Sequence, residues 1–122
     1  MPILETVTAC ALTLACSGGP TTTPDHTLAL FMQEPDGATS SVVLECDPAG
    51  GTHPAPEMAC DQLRAVGGQF TGLPGELRQC ILMYAPVDVR AIGHWEGEFV
   101  NFEATYANRC VAGARTGGVF DF

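Results

Sequence analysis

The sequence contains no lysine, and five arginines stand against fourteen Asp and Glu residues. The formal net charge of the 122 residues is therefore −9. A chain of this charge repels nucleic-acid phosphates and anionic lipid headgroups, so we expect no nucleic-acid partner. The mostly apolar run at residues 3–15 is also shorter than the roughly 20 residues that a membrane-spanning helix requires.

Sequence patterns typical of enzymes and metal sites are missing as well. There is no Gly-rich phosphate-binding loop, no HExxH zinc motif, no GxSxG nucleophile turn and no CxxC pair. The three histidines are scattered, and His53 and His94, which lie near Gly-rich turns, are expected on the surface without a role. We therefore expect a protein that is not an enzyme and that binds neither a metal nor a cofactor.

What the sequence does contain is cysteine, glycine and proline. Apolar residues make up 46% of the chain, which suits one folded domain of ordinary size. By number alone, six cysteines in a chain this short indicate an oxidising compartment, a metal site or both, and the missing CxxC pair makes a structural zinc site improbable. Fourteen glycines and nine prolines argue against a helical bundle, because both residues interrupt helices.

The N-terminal residues 1–25 are predicted to be a separate segment. The apolar run resembles the end of a bacterial secretion signal, and the Leu-Thr-Leu-Ala-Cys that ends at Cys16 resembles a lipoprotein processing site. A polar spacer, residues 20–25, follows. This interpretation makes the protein secreted, or anchored to the outer face of the membrane only through a lipid on Cys16. The alternative is an ordinary strand with Cys10 and Cys16 paired or free, because no basic residue precedes the run.

The remaining residues read as short strands, turns and little helix. Pro35-Asp36-Gly37 is a typical turn between two strand-like runs, so it predicts a hairpin. Residues 57–66 predict a helix that ends at Gly67-Gly68, and residues 47–56 predict a loop. Three further strands are expected at Val87–Ile92, Glu98–Tyr106 and Val119–Phe122. The pattern indicates an α+β domain built on an antiparallel sheet with one or two short helices.

The passage from Cys80 to Pro86 is the most informative of the chain. Its apolar core, Ile81-Leu82-Met83-Tyr84-Ala85, fits a buried strand. A cysteine opens it, a proline closes it and Gly-rich sequence precedes it, which also fits a segment held extended and presented outward.

These residues, with others along the chain, resemble the Streptomyces subtilisin inhibitor-like family of secreted bacterial serine-protease inhibitors. The resemblance runs from about Leu28 to Phe122. The matching residues are Gly51-Thr52-His53-Pro54-Ala55-Pro56, Ala59-Cys60, Leu63, Ala65-Val66-Gly67-Gly68, Cys80, Tyr84, Pro86-Val87, Gly93, Trp95, Gly97, Asn108, Cys110 and Val119-Phe120-Asp121-Phe122.

The resemblance implies a domain over residues 26–122 with a five-stranded antiparallel sheet, two short helices and two disulfides. It implies that Cys46 pairs with Cys60 and Cys80 with Cys110, and that two copies form a homodimer. Cys10 and Cys16 have no counterpart in the inhibitor domain.

The resemblance also implies a function. It places a protease-cleaved (reactive) bond between Leu82 and Met83, in a contact loop made of Gln79, Cys80, Ile81, Leu82, Met83 and Tyr84. Pro86 and Asn108 are expected to support this loop, although Asn108 equally fits a structural turn. An apolar residue at position 82 predicts inhibition of subtilisin-like, and also chymotrypsin-like, serine endopeptidases rather than of trypsin-like enzymes.

Three positions depart from the family pattern. Ile81 stands where the family usually has Pro, Gln79 where it often has Met, and Ala85 where Asp or Asn is common. The departures at Ile81 and Ala85, together with the lipid anchor considered at Cys16, motivate an alternative, a cell-surface binding module that keeps the fold without inhibiting. A second alternative is a dual inhibitor that also blocks a small metalloprotease, with Met83 and Tyr84 in the metalloprotease site.

Overall fold

The computed structural model describes residues 23–122 of the chain. The predictions that concern Cys10, Cys16 and the signal-like segment lie outside the described residues. None of the helices within 23–122 is both long and apolar enough to cross a membrane.

A five-stranded sheet forms the body, with the strand order β3-β2-β1-β4-β5. The strands are β1 His26–Gln33, β2 Thr39–Cys46, β3 Gly50–Gly51, β4 Val87–Trp95 and β5 Glu98–Tyr106, and all neighbours pair antiparallel. Burial along β1 alternates strictly, so that His26, Leu28, Leu30 and Met32 face the core. This period of two is expected of a sheet covered on one face only.

Two tight turns fix the register of the sheet. The predicted hairpin around Pro35-Asp36-Gly37 is confirmed: the Asp36 carboxylate accepts a hydrogen bond of 2.9 Å from the Ala38 amide. Strand β4 runs on to Trp95, beyond the predicted end at Ile92, and turns into β5 through Glu96 and Gly97. Both turn residues have positive φ, 52° and 80°, which is the conformation of a tight hairpin turn between twisted strands.

Two helices cover one face of the sheet. Helix α1, Pro56–Ala65, carries Pro56 at its N-terminal end and buries Ala59, Cys60 and Leu63. Helix α2, Arg109–Arg115, is the second short helix that the family resemblance implied. A single 3₁₀ turn, Phe70–Gly72, follows α1.

The predicted C-terminal strand at Val119–Phe122 is wrong. Gly117 and Gly118 have φ of 63° and 95°, and the amide of Asp121 donates to the Gly118 carbonyl, so the chain coils in tight turns here. Val119 and Phe120 are fully buried, and the ring centre of Phe120 lies 6.0 Å from that of Phe70. The fifth strand is instead Gly50–Gly51, within the span predicted as loop.

The surface position predicted for His53 is also wrong, whereas His94 is exposed as expected. His53 is only 4% exposed. Its Nδ1 accepts a hydrogen bond of 3.0 Å from the Ala55 amide, so Nε2 carries the proton and donates to the Val119 carbonyl at 2.8 Å. Burial lowers the pKa of His53, against the opposing effects of the Val119 carbonyl and the charge of Asp121. The imidazole therefore fastens the start of α1 to the C-terminal turns.

Two disulfides join the elements in the pairing implied by the resemblance. Cys46 at the end of β2 is bonded to Cys60 in α1, and both are buried. Cys80 is bonded to Cys110 in α2. The two bridges have the same Cα–Cα distance, 5.7 Å, although their surroundings differ.

Candidate functional site

The segment from Leu73 to Pro86 contains no helix or strand and crosses the surface beside α2. Its apolar side chains point into solvent: Leu82 is fully exposed at 104%, Tyr84 is 82% exposed and Ile81 is 72% exposed. A buried strand is excluded for these residues. Grouped exposed apolar side chains of this kind mark surfaces that bind other proteins.

The exposed segment is fixed at its centre by the bridge from Cys80 to Cys110. Cys110 lies in the first turn of α2, so the bridge ties the segment to a regular element. At the C-terminal end, the Ala85 amide donates 2.9 Å to the Ala107 carbonyl, and Pro86 leads directly into β4. The segment is therefore a loop held at its centre and at its C-terminal end rather than a free tether.

Asn108 connects the tip of the loop to the body. Its side-chain amide donates to the carbonyl of Met83 at 2.8 Å and to that of Ile81 at 3.3 Å. Its side-chain oxygen accepts a bond of 2.9 Å from the Val111 amide and so caps α2. One buried side chain thus makes both kinds of hydrogen bond considered for Asn108, to the loop and to the backbone of α2.

The backbone turns sharply at Leu82. The Met83 amide donates 2.9 Å to the Ile81 carbonyl, which closes a three-residue turn with Leu82 at its apex. The Leu82–Met83 bond follows directly, between two carbonyls that Asn108 holds. This arrangement places the Leu82–Met83 bond at the turn and leaves the Leu82 side chain, the most exposed of the large apolar side chains at 81–84, fully in solvent.

Charge is absent from the exposed part of the loop and present at its base. Residues 79–84 include no acidic, basic or histidine side chain. At the base, Arg78 pairs with Asp121 at 3.0 Å, and Arg109 pairs with Glu34 at 2.9 Å. Among the residues that the structure describes, no three His, Cys, Asp or Glu side chains are grouped so as to hold a metal ion. The site can offer a peptide bond to a protease, but the loop carries no ionised acid or base for catalysis.

Comparison with known proteins decides the family. The model of the family described as "Subtilisin inhibitor-like" matches residues 8–108. The chain belongs to the subtilisin inhibitor-like family. It is 50% identical over 84 residues to subtilisin inhibitor-like protein 5 of Streptomyces fradiae, an alignment covering 67% of this chain and 78% of that protein. It is 45% identical over 89 residues to the protease inhibitor SIL-V1/SIL-V4 of Streptomyces netropsis, covering 70% and 81%.

A solved structure is similar to this chain as well. It is the crystal structure of Streptomyces caespitosus sermetstatin in complex with Bacillus licheniformis subtilisin, at 28% identity and a TM-score of 0.61. The match covers 80% of this chain and 96% of sermetstatin. The five-stranded antiparallel sheet with two helices and two disulfides predicted for this subtilisin inhibitor-like domain is confirmed.

The sequence reasoning missed the ionic contacts at the base of this subtilisin inhibitor-like loop. Arg78 and Asp121 are 43 residues apart, and Arg109 and Glu34 are 75 residues apart. Only the fold brings each pair together. One signal was available for Arg78: it lies two residues before Cys80, so both share a face of an extended segment.

Proposed function

We propose that this protein inhibits subtilisin-like serine endopeptidases by inserting residues 79–84 into the protease cleft as a substrate does. The observation that carries the proposal is the fully exposed Leu82 at the apex of a loop whose flanking carbonyls and cysteine are tied to the body. Family membership supports it, as does the similarity to sermetstatin, which was crystallised with subtilisin.

In this proposal the reactive bond is Leu82–Met83. The extended residues before it pair with edge strands of the protease by β-strand addition. Leu82 fills the primary specificity pocket, where burial of a leucine contributes about 1.5–3 kcal/mol. An uncharged side chain leaves the pocket carboxylate of a trypsin-like enzyme unpaired, so the target class is subtilisin-like and chymotrypsin-like.

Inhibition rather than rapid digestion follows from how the loop is held. Cys80 before the bond is linked to Cys110, and the carbonyls of Ile81 and Met83 are bonded to Asn108 on either side of it. Cleavage would leave both new ends beside each other, so resealing competes with release. The preformed loop also loses little conformational entropy on binding.

Titration of subtilisin with the intact protein tests this proposal. We expect stoichiometric inhibition at micromolar concentration and slow cleavage at Leu82–Met83 alone. A protein that is cut and released without inhibition would support the non-inhibitory binding module and contradict the proposal.

The variant Leu82→Lys tests the position of the reactive bond. It should weaken inhibition of subtilisin about 10- to 150-fold, the equivalent of the leucine burial energy, and it should create inhibition of trypsin. Leu77→Lys is the matched control, because Leu77 is also fully exposed but lies five residues earlier. An unchanged target range for Leu82→Lys would move the reactive bond elsewhere.

We further propose that two copies of the chain pair through the uncovered face of the sheet. The strand residues that alternate with the core residues place Phe31, Val43 and Phe99 on this face, and all three are exposed. Sedimentation equilibrium should give twice the mass of one chain, and Phe31→Glu should give monomers. A single-chain mass for the unmodified protein would contradict the pairing.

Secretion, and anchoring through Cys16, complete the proposal. Oxidised Cys46–Cys60 and Cys80–Cys110 bridges support an oxidising compartment. The intact mass of the protein recovered from its producing cells would show a lipid on Cys16, and its recovery from the culture medium without that mass would exclude the anchor.

A further inference from the structure

The part of the loop that precedes the reactive bond, residues 76–81, is called the limb here. It has two faces. Leu77 and Gln79 are exposed, whereas Arg78 and Cys80 are partly buried. This alternation is the period of two that extended backbone imposes on its side chains. One face of the limb is therefore presented to solvent and the other is attached to the protein body.

The attached face makes two independent connections. Cys80 is bonded to Cys110 in α2. Two residues earlier, the guanidinium of Arg78 donates 3.0 Å to the carboxylate of Asp121 in the C-terminal turns. Arg78 also pairs with Glu76 at 2.9 Å, but Glu76 belongs to the same limb, so among residues 23–122 it is Asp121 that ties the Arg78 side chain to the body. The hydrogen bonds that Arg78 donates to Glu76 and then to Asp121 raise the pKa of Arg78, which keeps the guanidinium charged.

The surface of α2 is shaped to accept this contact. A Cβ atom at Gly113 would lie 2.8 Å from Nη1 of Arg78 and 2.9 Å from Oδ1 of Asp121, so any side chain there would displace the pair. The Glu76 amide also donates 2.8 Å to the Ala114 carbonyl. The limb is thus seated against α2 over several residues, with the ion pair at the position nearest to Cys80.

We propose that the Arg78–Asp121 ion pair is a second tether of the reactive loop and that Arg78 is a positioning residue for inhibition. The inference rests on the proposed inhibitory function. Without the ion pair the limb is attached only at Cys80 and, four residues earlier, through the Glu76 amide; the ion pair adds an attachment two residues before Cys80 and fixes the direction of the backbone there. This second attachment restrains the backbone next to Ile81, where the family's proline is missing.

Neutral polar replacements of either partner test the tether. Asp121→Asn and Arg78→Gln should each accelerate cleavage of Leu82–Met83 by subtilisin about two- to fivefold, the range of a partly exposed ion pair. They should also raise the equilibrium ratio of cleaved to intact inhibitor, with little change in Tm. The matched control is Asp61→Asn, which removes the same charge from the Arg64–Asp61 pair on α1, away from the loop. Assays at pH 8 keep His53 neutral in every variant.

The exchange Arg78→Asp with Asp121→Arg should recover part of the lost resistance. In 1 M NaCl the difference between the unmodified protein and Asp121→Asn should shrink, because salt screens a partly exposed pair. Cleavage rates equal to those of Asp61→Asn, or rates that change equally in high salt, would overturn the tether while leaving the proposed function intact. Failure of the unmodified protein to inhibit subtilisin would instead overturn the proposed function itself.

Discussion

The two disulfides lie in different regions of the molecule, one in the packed body and one at the exposed loop. They have different roles in these two regions. Cys46 and Cys60 are 1% and 0% exposed, within a core that includes Leu28, Leu44 and Leu63. Cys80 and Cys110 hold a loop whose own large side chains face solvent. In the body the bridge adds to packing that already exists. In the loop, the bridge and a few polar contacts take the place of packing.

The largest expected effect comes from removing each bridge in turn. In the chain-entropy model, bridges that span 14 and 30 residues stabilise the folded state by about 3 and about 3.5 kcal/mol. Cys46→Ala with Cys60→Ala should therefore lower the free energy of unfolding by about 3 kcal/mol and leave inhibition of subtilisin nearly intact. Cys80→Ala with Cys110→Ala should instead convert the protein into a substrate that is cut and released.

Denaturant unfolding and subtilisin titration of the same two variants measure both quantities. The proposed difference between the two bridges is contradicted if the loop variant, Cys80→Ala with Cys110→Ala, still inhibits stoichiometrically while it is folded. It is equally contradicted if the body variant, while folded, loses inhibition as completely as the loop variant does.

Asn108 contacts both regions, because its amide nitrogen donates to the loop and its oxygen caps α2. Since different atoms make the two contacts, substitutions can separate them. Asn108→Asp keeps an oxygen to cap α2 at the Val111 amide but loses the donor to Ile81 and Met83. Asn108→Ala loses both. We expect Asn108→Asp to speed cleavage of the loop about tenfold with little loss of stability. Asn108→Ala should in addition lower the free energy of unfolding by about 1–2 kcal/mol.

Cleavage rates and denaturant unfolding of the two Asn108 variants provide the check. Equal losses of stability in the two variants would show that the loop contacts, rather than the cap, carry the structural role of this residue.

The parts of the fold that sequence could predict are those with local causes. The Pro35-Asp36-Gly37 turn sets the first hairpin through three adjacent residues, and the structure has it as expected. The disulfide pairing and the five-strand, two-helix architecture came from the family resemblance, which the comparisons confirm. The reactive bond at Leu82–Met83 and the contact loop stay predictions, although Leu82 does lie at the exposed apex.

The parts that sequence could not predict depend on contacts between distant residues. Val119–Phe122 has the composition of a strand, but burial against Phe70 and the bond from His53 to Val119 hold it in turns. Helix α2 has only seven residues, with Gly113 in its middle, which is too short and too interrupted for a periodic signal. The Arg78–Asp121 pair exists only once those C-terminal turns have formed.

The body and the loop should also differ in their response to acid. Burial holds the pKa of His53 below 6.5, its value in the unfolded chain. Below about pH 6.5 the unfolded chain therefore binds a proton that the folded protein does not, so stability falls as the pH drops from 6.5 towards the lowered pKa. The loop residues 79–84 contain no carboxylate or imidazole and add nothing to this slope.

Tm measured between pH 8 and pH 5.5 tests this difference. We expect a constant value above pH 7.5 and a decline below pH 6.5 that is smaller than the loss from removing a disulfide. His53→Gln, whose amide can still donate to the Val119 carbonyl, should flatten the decline while lowering Tm overall. If Tm falls with pH equally steeply in this variant, another ionisable group of the body causes the acid sensitivity.

The smallest expected effect is at Ile81, the loop position where the sequence departs from its family. Within residues 23–122 the Ile81 amide donates no backbone hydrogen bond, so proline costs none there. Proline fixes φ and disfavours helical backbone at the preceding residue, which suits an extended limb. Ile81→Pro should slow cleavage of Leu82–Met83 about two- to fivefold, the equivalent of 0.4–1 kcal/mol of chain entropy.

Ile81→Ala is the matched opposite change, because removing the β-branch widens the range of backbone conformations. If stiffness before the reactive bond sets resistance to cleavage, the rates must fall in the order Ala, Ile, Pro. The spread should widen when Asp121→Asn removes the neighbouring ion pair, since the backbone then depends more on its own restraint. If the three residues at position 81 give equal cleavage rates both with and without Asp121→Asn, then the Cys80–Cys110 bridge and Asn108 hold the reactive bond without a contribution from residue 81.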